Sequence, residues 1–182
     1  MDGHGHKNTP SISLIFLVGF MGSGKSTTGK LLAKRIGYSF LDLDNLIEKR
    51  TGRKIRNIFA AEGEEYFRDI ESETLQSCRG LAHTVVALGG GAFIKSANRD
   101  FCREVGKTIW LRCPIEICLA RAARDRSRPL LGAREEMERL LTSRISSYEA
   151  ADFTVDSSPS EQNTIVNEIL RVLADGNSSR DD

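Results

Sequence analysis

The first sustained apolar run, Leu14–Val18, is uninterrupted by any polar position and stops at Gly19. A short run without alternation fits a strand buried on both faces, as in a parallel sheet. Over Lys25–Ile36 the apolar positions recur at helical spacing, so this strand feeds a helix. The alternation then repeats. Strands are predicted at 39–41, 84–88, 108–111 and 153–155. Helices are predicted at 62–77, with Phe67, Ile70 and Leu75 on the inner face, at 115–123, at Arg134–Tyr148, and from the last strand to about Leu173. Leu46, Ile47, Ile55, Ile58 and Phe59 indicate short helices interrupted at Thr51 and Gly52. Strands alternating with helices predict an α/β fold of three layers, in which a five-stranded parallel sheet carries helices on both faces. The expected organisation is a disordered tail over 1–13, one domain over 14–174 and a second disordered tail over 175–182, with no repeat or linker.

A chain of 182 residues with 40% hydrophobic positions can bury a core without disulfides or a structural metal. Its 26 Lys and Arg against 25 Asp and Glu leave a net charge of +1, too balanced for a protein that wraps nucleic acid or an anionic membrane. Within that balance 18 Arg stand against 8 Lys, and Arg is the side chain suited to bidentate contact with phosphate and carboxylate. Cys78, Cys102, Cys113 and Cys118 show no metal-like spacing and read as packed, reduced thiols of a cytoplasmic protein. No run approaches the ~18 apolar residues of a membrane span. The first 13 residues carry His4, His6 and Lys7 without an apolar leader core, and the two histidines read as incidental rather than as a metal site.

The segment Gly19-Phe20-Met21-Gly22-Ser23-Gly24-Lys25-Ser26-Thr27 fits G-x-x-x-x-G-K-[ST] and stands between a strand and a helix, where that motif works. The glycines let backbone N–H groups curl around phosphates, Lys25 reaches the β- and γ-phosphates, and the Ser26 hydroxyl can ligate Mg²⁺. The guanine-reading N-K-x-D segment of common GTPases is absent. Asp42 and Asp44 follow the second strand, whose carboxyl end opens onto the same crevice as the phosphate loop. If the segment is extended, the two share a face, one supporting Mg²⁺ and the other accepting from a substrate hydroxyl. Alternatively Asp44 caps the next helix.

Together with the phosphate loop, the Asp42-x-Asp44 pair followed by Ile47-Glu48, the Gly63-Glu64-Glu65-x-Phe67-Arg68-x-x-Glu71 run, the Gly89-Gly90-Gly91 triplet and Arg128-Pro129-Leu130-Leu131 resemble the shikimate kinase family, in order and spacing, over residues 14–172. The resemblance implies a P-loop kinase fold with a mobile lid over about 121–133. It implies transfer of the γ-phosphate of ATP to the 3-hydroxyl of shikimate, in the biosynthesis of chorismate and the aromatic amino acids. ATP and Mg²⁺ would be held by Gly22, Ser23, Gly24, Lys25, Ser26, Thr27, Arg121 and Arg128, with Arg121 against adenine and Ser26 and Asp42 on the metal. Shikimate would be held by Asp44, Arg68, Gly89, Gly90, Gly91 and Arg144, the two arginines on its carboxylate and Asp44 on its ring hydroxyls. Lys25, Asp44 and Arg128 would be the catalytic groups, and Phe59 and Phe67 would wall the pocket.

Read without the resemblance, Arg68 is an ion-pair partner of Glu64 or Glu71 at helical spacing, and the Arg121, Arg124, Arg126, Arg128 run is a solvated face. Arg124 and Arg126 are expected in solvent in either case. The chain departs from the family where an Arg is followed by Pro-Leu-Tyr and then Ala-Asp: here Arg144-Ile145-Ser146-Ser147-Tyr148 precedes Glu149-Ala150-Ala151-Asp152, one residue tighter. The loop around 157–160 also lacks the longer polar or basic residue often seen beside adenine. The expected protein is a monomer without nucleic-acid or membrane partners. Two other readings remain open: a P-loop kinase for another polyol acid such as gluconate, and a non-catalytic nucleotide-binding relative.

Overall fold

The computed structural model describes residues 12–124, 134–158 and 161–178. Strands β1 (Leu14–Val18), β2 (Ser39–Asp42), β3 (Thr84–Ala87), β4 (Lys107–Arg112) and β5 (Phe153–Asp156) form one sheet in the order β2-β3-β1-β4-β5. Every pairing is parallel. The helices are α1 (Lys25–Ile36), α2 (Leu43–Thr51), α3 (Ile55–Gln76), α4 (Ser96–Val105), α5 (Ile115–Arg124), α6 (Arg134–Tyr148) and α7 (Gln162–Ser178), with a 3-10 turn at Ala92–Ile94. The central strand β1 shows why three layers form. Leu14, Phe16 and Val18 join the core under α2, α3 and α4, whereas Ile15 and Leu17 join the core under α1 and α7. Each such buried side chain contributes on the order of 1.5–3 kcal/mol. Because β1 lies at the centre, its carboxyl end opens into the crevice where the strand order reverses, the position at which open α/β sheets bind ligands.

The sequence reading needs correction in three places. Helix α4 was not predicted: its stripe begins with Asn98, which is buried and donates Nδ2 to Ala92 O at 2.9 Å, so the apolar signal falls to Phe101, Cys102 and Val105. The short helix expected around Ile55–Phe59 and the longer one over 62–77 are both present within α3, with Gly63 at φ 84° and ψ −179° breaking the helix between them. The C-terminal tail begins later than expected, because α7 continues to Ser178 with Arg171 donating to Asp175 at 2.9 Å. At the other end Ile12 and Ser13 are tied to the sheet, accepting from the Tyr38 hydroxyl at 2.7 Å and from Thr84 N at 3.1 Å. Residues 1–11, including His4 and His6, and residues 179–182 lie outside the described residues. Among the described residues no helix is long and apolar enough to cross a membrane, and all four cysteines are free and buried.

The tightened turn before β5 has a structural consequence. Asp152 Oδ2 accepts from Thr108 N at 2.8 Å and Thr108 Oγ1 at 2.7 Å, and Thr108 Oγ1 accepts from Asp152 N at 2.8 Å. This reciprocal set joins the start of β4 to the approach to β5. Asp152→Ala leaves buried Thr108 groups without partners, which costs about 2 kcal/mol. The expected fall in melting temperature is about 4–8 °C for a chain of this size; an unchanged melting temperature would show that water replaces the carboxylate without loss.

Candidate active site

The phosphate loop leaves β1 at the sheet's centre and enters α1 through Gly24, whose left-handed conformation (φ 93°) provides no side-chain cap. The first turn of α1 therefore presents its N–H groups without a side-chain acceptor, the arrangement that binds an anion. Lys25 Nζ donates to Gly19 O and Phe20 O, each at 2.8 Å, which holds the ammonium along the loop. Ser23 differs from its neighbours. Its side chain is fully buried, its Oγ has no partner, and its N–H is engaged by Phe20 O at 3.2 Å. Behind the loop, the Cys118 carbonyl of α5 packs against Gly22. One turn further on α5, Arg121 donates to Ser157 O at 2.9 Å and Ser158 O at 3.4 Å, so it is anchored at the end of β5. Arg121 Nη1 also lies 3.6 Å from Cys113 Sγ. A hydrogen bond from Cys118 draws the Cys113 thiol down, burial opposes this, and the Arg121 charge adds to the fall.

The roles of the two aspartates are the reverse of the capping alternative. Asp42, not Asp44, caps α2: its Oδ1 accepts from Asp44 N at 3.1 Å and Asn45 N at 3.3 Å. Its other oxygen accepts from Ser26 Oγ at 2.6 Å, which joins the second strand to the phosphate loop. Asp44 lies in the first turn of α2 rather than in an extended segment, so period-two alternation does not set its direction. Even so, both line the cleft.

Two glycines of the triplet admit a close approach by side chains. A side chain starting at Gly89 would lie 2.7 Å from Asp44 Oδ1 and 2.9 Å from Glu71 Oε1, and one at Gly91 would overlap the Arg68 guanidinium. Arg68 bonds Glu71 Oε2 at 2.7 Å and Glu64 Oε1 at 3.1 Å, and lies over the Phe67 ring. The ion pairs and the place at the glycine triplet thus hold together. Burial pushes the Glu71 carboxyl up, Arg68 opposes this, and the Asp44 charge adds to the rise. Phe59 packs on Phe67 with ring centroids 4.6 Å apart; Phe67 is buried and Phe59 is 36% exposed. Arg144, on α6, lies 3.5 Å from where a Gly90 side chain would start and 6.0 Å from the Phe20 ring centroid. One turn on, the Tyr148 hydroxyl donates to Gly90 O; burial pushes its phenol up to about 12, so it stays a donor. The serines at 146 and 147 therefore leave Arg144 facing the triplet.

These groups surround a cleft of about 290 Å³. The lining comprises Gly22, Gly24, Lys25, Ser26 and Thr27 of the phosphate loop, Asp42, Asp44, Leu88, Gly89 and Gly90 at and beyond the carboxyl ends of β2 and β3, and Arg121 and Gln162. Arg68 packs on Gly91 and Arg144 lies beside Gly90, next to this lining. Arg126, Arg128 and the rest of 125–133, where the lid is expected, lie outside the described residues, as do 159–160 of the loop expected beside adenine. Gln162 was not foreseen: the only available signal was a polar residue opening a helix beside the fifth strand. Among the described residues no group of three or more His, Cys, Asp or Glu could hold a metal. The Ser26 hydroxyl and Asp42 carboxylate are hard oxygen donors suited to Mg²⁺, which keeps several waters and takes its other ligands from substrate phosphates.

The comparisons with known proteins agree with this geometry. Residues 21–174 match the family model described as shikimate kinase. A shikimate kinase of Persephonella marina is 45% identical over 157 residues, covering 86% of this chain and 96% of the relative. One of Moorella thermoacetica is 43% identical over 161 residues, covering 87% and 93%. The solved structure of the Acinetobacter baumannii shikimate kinase in complex with shikimate superposes with a TM-score of 0.87 at 36% identity, covering 93% of this chain and 97% of that one. With a phosphate loop at the centre of a 2-3-1-4-5 parallel sheet and these relatives along nearly its whole length, the chain belongs to the shikimate kinase family.

Proposed function

We propose that this enzyme transfers the γ-phosphate of ATP to the 3-hydroxyl of shikimate, giving shikimate 3-phosphate and ADP for the synthesis of chorismate and the aromatic amino acids. One observation carries the reading: across a single cleft from the anion-binding loop stands Asp44, with the guanidinium groups of Arg68 and Arg144 beside Gly91 and Gly90. A small acid with several hydroxyls needs cations for its carboxylate at one end and an acceptor for its hydroxyls at the other.

Lys25 and the N–H groups opening α1 take the β- and γ-phosphates, and Arg121 lies against the adenine. Asp44 accepts from the reacting hydroxyl and aims it in line with the γ-phosphorus, while Arg68 and Arg144 grip the carboxylate. Arg128, from the lid, neutralises charge on the transferring phosphoryl group. Catalysis of this kind is positioning plus charge neutralisation, with little covalent work by the protein. Mg²⁺ brought with the nucleotide would be held by Ser26 and Asp42 and would supply neutralisation of the phosphate charge. The buried free thiols support a cytoplasmic enzyme.

A coupled assay of ADP release, run with ATP alone, with shikimate and with gluconate, tests the reading. Release stimulated by shikimate and not by gluconate is expected. Release indifferent to shikimate would overturn it, and stimulation by gluconate alone would move the substrate to another polyol acid.

A further inference from the structure

Cys113 and Cys118 lie behind the phosphate loop, and the mechanism above uses neither. Cys113 directly follows β4, and α5 opens two residues later at Ile115. The Pro114 carbonyl accepts from Ile117 N and Cys118 N, each at 3.1 Å, so Pro114 caps the helix. Cys113 then stands just before the cap and Cys118 in the fourth helical position, the two places whose side chains pack together at a helix start. They meet here as thiols: the two are hydrogen-bonded, and Cys118 Sγ lies 3.8 Å from Cys113 O.

A cation completes the arrangement. Arg121 Nη1 is 3.6 Å from Cys113 Sγ, and the same nitrogen donates to Ser157 O at 2.9 Å. The hydrogen bond from Cys118, the Arg121 charge and the Ser157 hydroxyl favour the Cys113 thiolate, against burial and the Asp156 charge. Cys118 is pushed the other way by its bond to Cys113 and by burial, against the charges of Lys25 and Arg121. One thiol is disposed to lose its proton and its neighbour to keep it, the division between an attacking and a resolving cysteine. Exposure follows the same order, 8% for Cys113 and 1% for Cys118. At Cys78 and Cys102 burial dominates, pushing Cys78 up to about 11 and Cys102 up as well, the condition of inert packed thiols. The pair also adjoins the nucleotide site on two sides. Cys118 sets its backbone carbonyl against Gly22, with no room for one added carbon, and Cys113 touches Arg121, which lines the cleft.

We propose that Cys113 and Cys118 form an oxidation site, converted by hydrogen peroxide to a disulfide that weakens nucleotide binding at the adjoining loop. The effect on binding rests on the nucleotide reading above, whereas the disulfide does not. The Cys113 sulfur attacks one peroxide oxygen, the O–O bond breaks, and the departing hydroxide leaves as water with the thiol's proton. The Cys118 sulfur then displaces the hydroxyl from the Cys113 sulfenic acid, and its own proton leaves with that hydroxyl as a second water. The two sulfurs together give up two electrons, and the peroxide is reduced. Closing the bond draws the sulfurs from contact to about 2.05 Å. That moves Cys118 under Gly22 and removes the thiol group facing Arg121, so the loop and the arginine are both disturbed. By reciprocity, bound nucleotide opposes the oxidation as strongly as the oxidation opposes binding.

The test treats the reduced full chain with hydrogen peroxide, with and without ADP, and weighs the tryptic peptide 113–121, which holds both cysteines. The peptide is expected to become lighter by two hydrogens and to recover its mass with dithiothreitol, while Cys78 and Cys102 still take up an alkylating agent. ADP is expected to slow the change. Isothermal titration of the oxidised chain is expected to show ADP bound about tenfold more weakly, within the usual range of coupling between sites. Cys113→Ala should bind ADP alike before and after peroxide, and Cys118→Ala should stop at a sulfenic acid that dimedone captures on Cys113. If both thiols stay alkylatable while Cys78 or Cys102 oxidises, the pair is only a packed helix start and the proposal fails. A disulfide that leaves ADP affinity unchanged overturns the link to the nucleotide site. A reduced chain that binds no ADP overturns the nucleotide reading instead, and the peptide's mass still decides the oxidation site.

Discussion

The Asp44→Ala protein binds ATP close to wild-type affinity and is expected to lose about 10²–10⁴-fold in kcat/KM for shikimate, the scale of a positioned acid–base group. The separation of effects follows from the placement of these groups. Asp44 belongs to the first turn of α2 and lies beside Gly89, whereas Lys25 and the anion-binding N–H groups belong to the opening of α1. Folding is not expected to suffer, because Asp44 adds to the upward push on the buried Glu71 carboxyl. Removing that like charge favours the ionised Glu71 that Arg68 holds at 2.7 Å. ADP release and ATP titration on the same preparation check both halves; wild-type turnover in the variant would refute the role of Asp44. Asp44→Asn then separates two kinds of work. An amide still aligns the acceptor hydroxyl but cannot take its proton, so substantial recovery over Asp44→Ala means orientation dominates, and none means proton acceptance does.

Much of this site was legible in the sequence because its chemistry is local. The phosphate loop needs residues at fixed offsets between a strand and a helix, and β1 and α1 supply that context within 23 positions. Parallel strands buried on both faces also announce themselves as continuous apolar runs. The strand order does not, since nothing in 39–42 or 84–87 states that β3 rather than β2 lies beside β1. The assignment of the cap to Asp42 turned on a boundary of one residue: β2 ends at Asp42 and α2 begins at Leu43, closer than sequence patterns resolve. Arg68 had been read either as an ion pair or as a ligand group, and only the approach of α3 to the glycine triplet shows that the paired guanidinium also packs on Gly91. Gln162 was missed because its hydrogen-bond partner, Thr28, stands 134 positions away.

The largest stability effect is expected at Gly22→Ala, and Gly37→Ala measures how much of it comes from backbone strain. Both glycines have φ of +74°, so both substitutions force a left-handed alanine, which costs roughly 1–2 kcal/mol. Around Gly37 nothing lies within 4 Å, so that cost stands alone. At Gly22 the added carbon falls on the backbone carbonyl of Cys118, which belongs to α5 and has no side-chain end to swing aside. Either the loop or α5 must shift, adding about 1–3 kcal/mol as overpacking does in a close-packed interior. At about 2–4 °C per kcal/mol, Gly37→Ala should melt a few degrees below wild type and Gly22→Ala roughly twice as far below. The functional consequence separates them further. A shift of α5 carries Arg121 away from Ser157 and Ser158, and a shift of the loop turns the N–H groups opening α1. ADP affinity is therefore expected to fall at least tenfold in Gly22→Ala and to stay within about twofold in Gly37→Ala, a difference of at least ~1 kcal/mol. If the two variants melt together and bind ADP alike, the packing of Cys118 on Gly22 does not hold the loop in shape, and the positive φ alone explains the glycine.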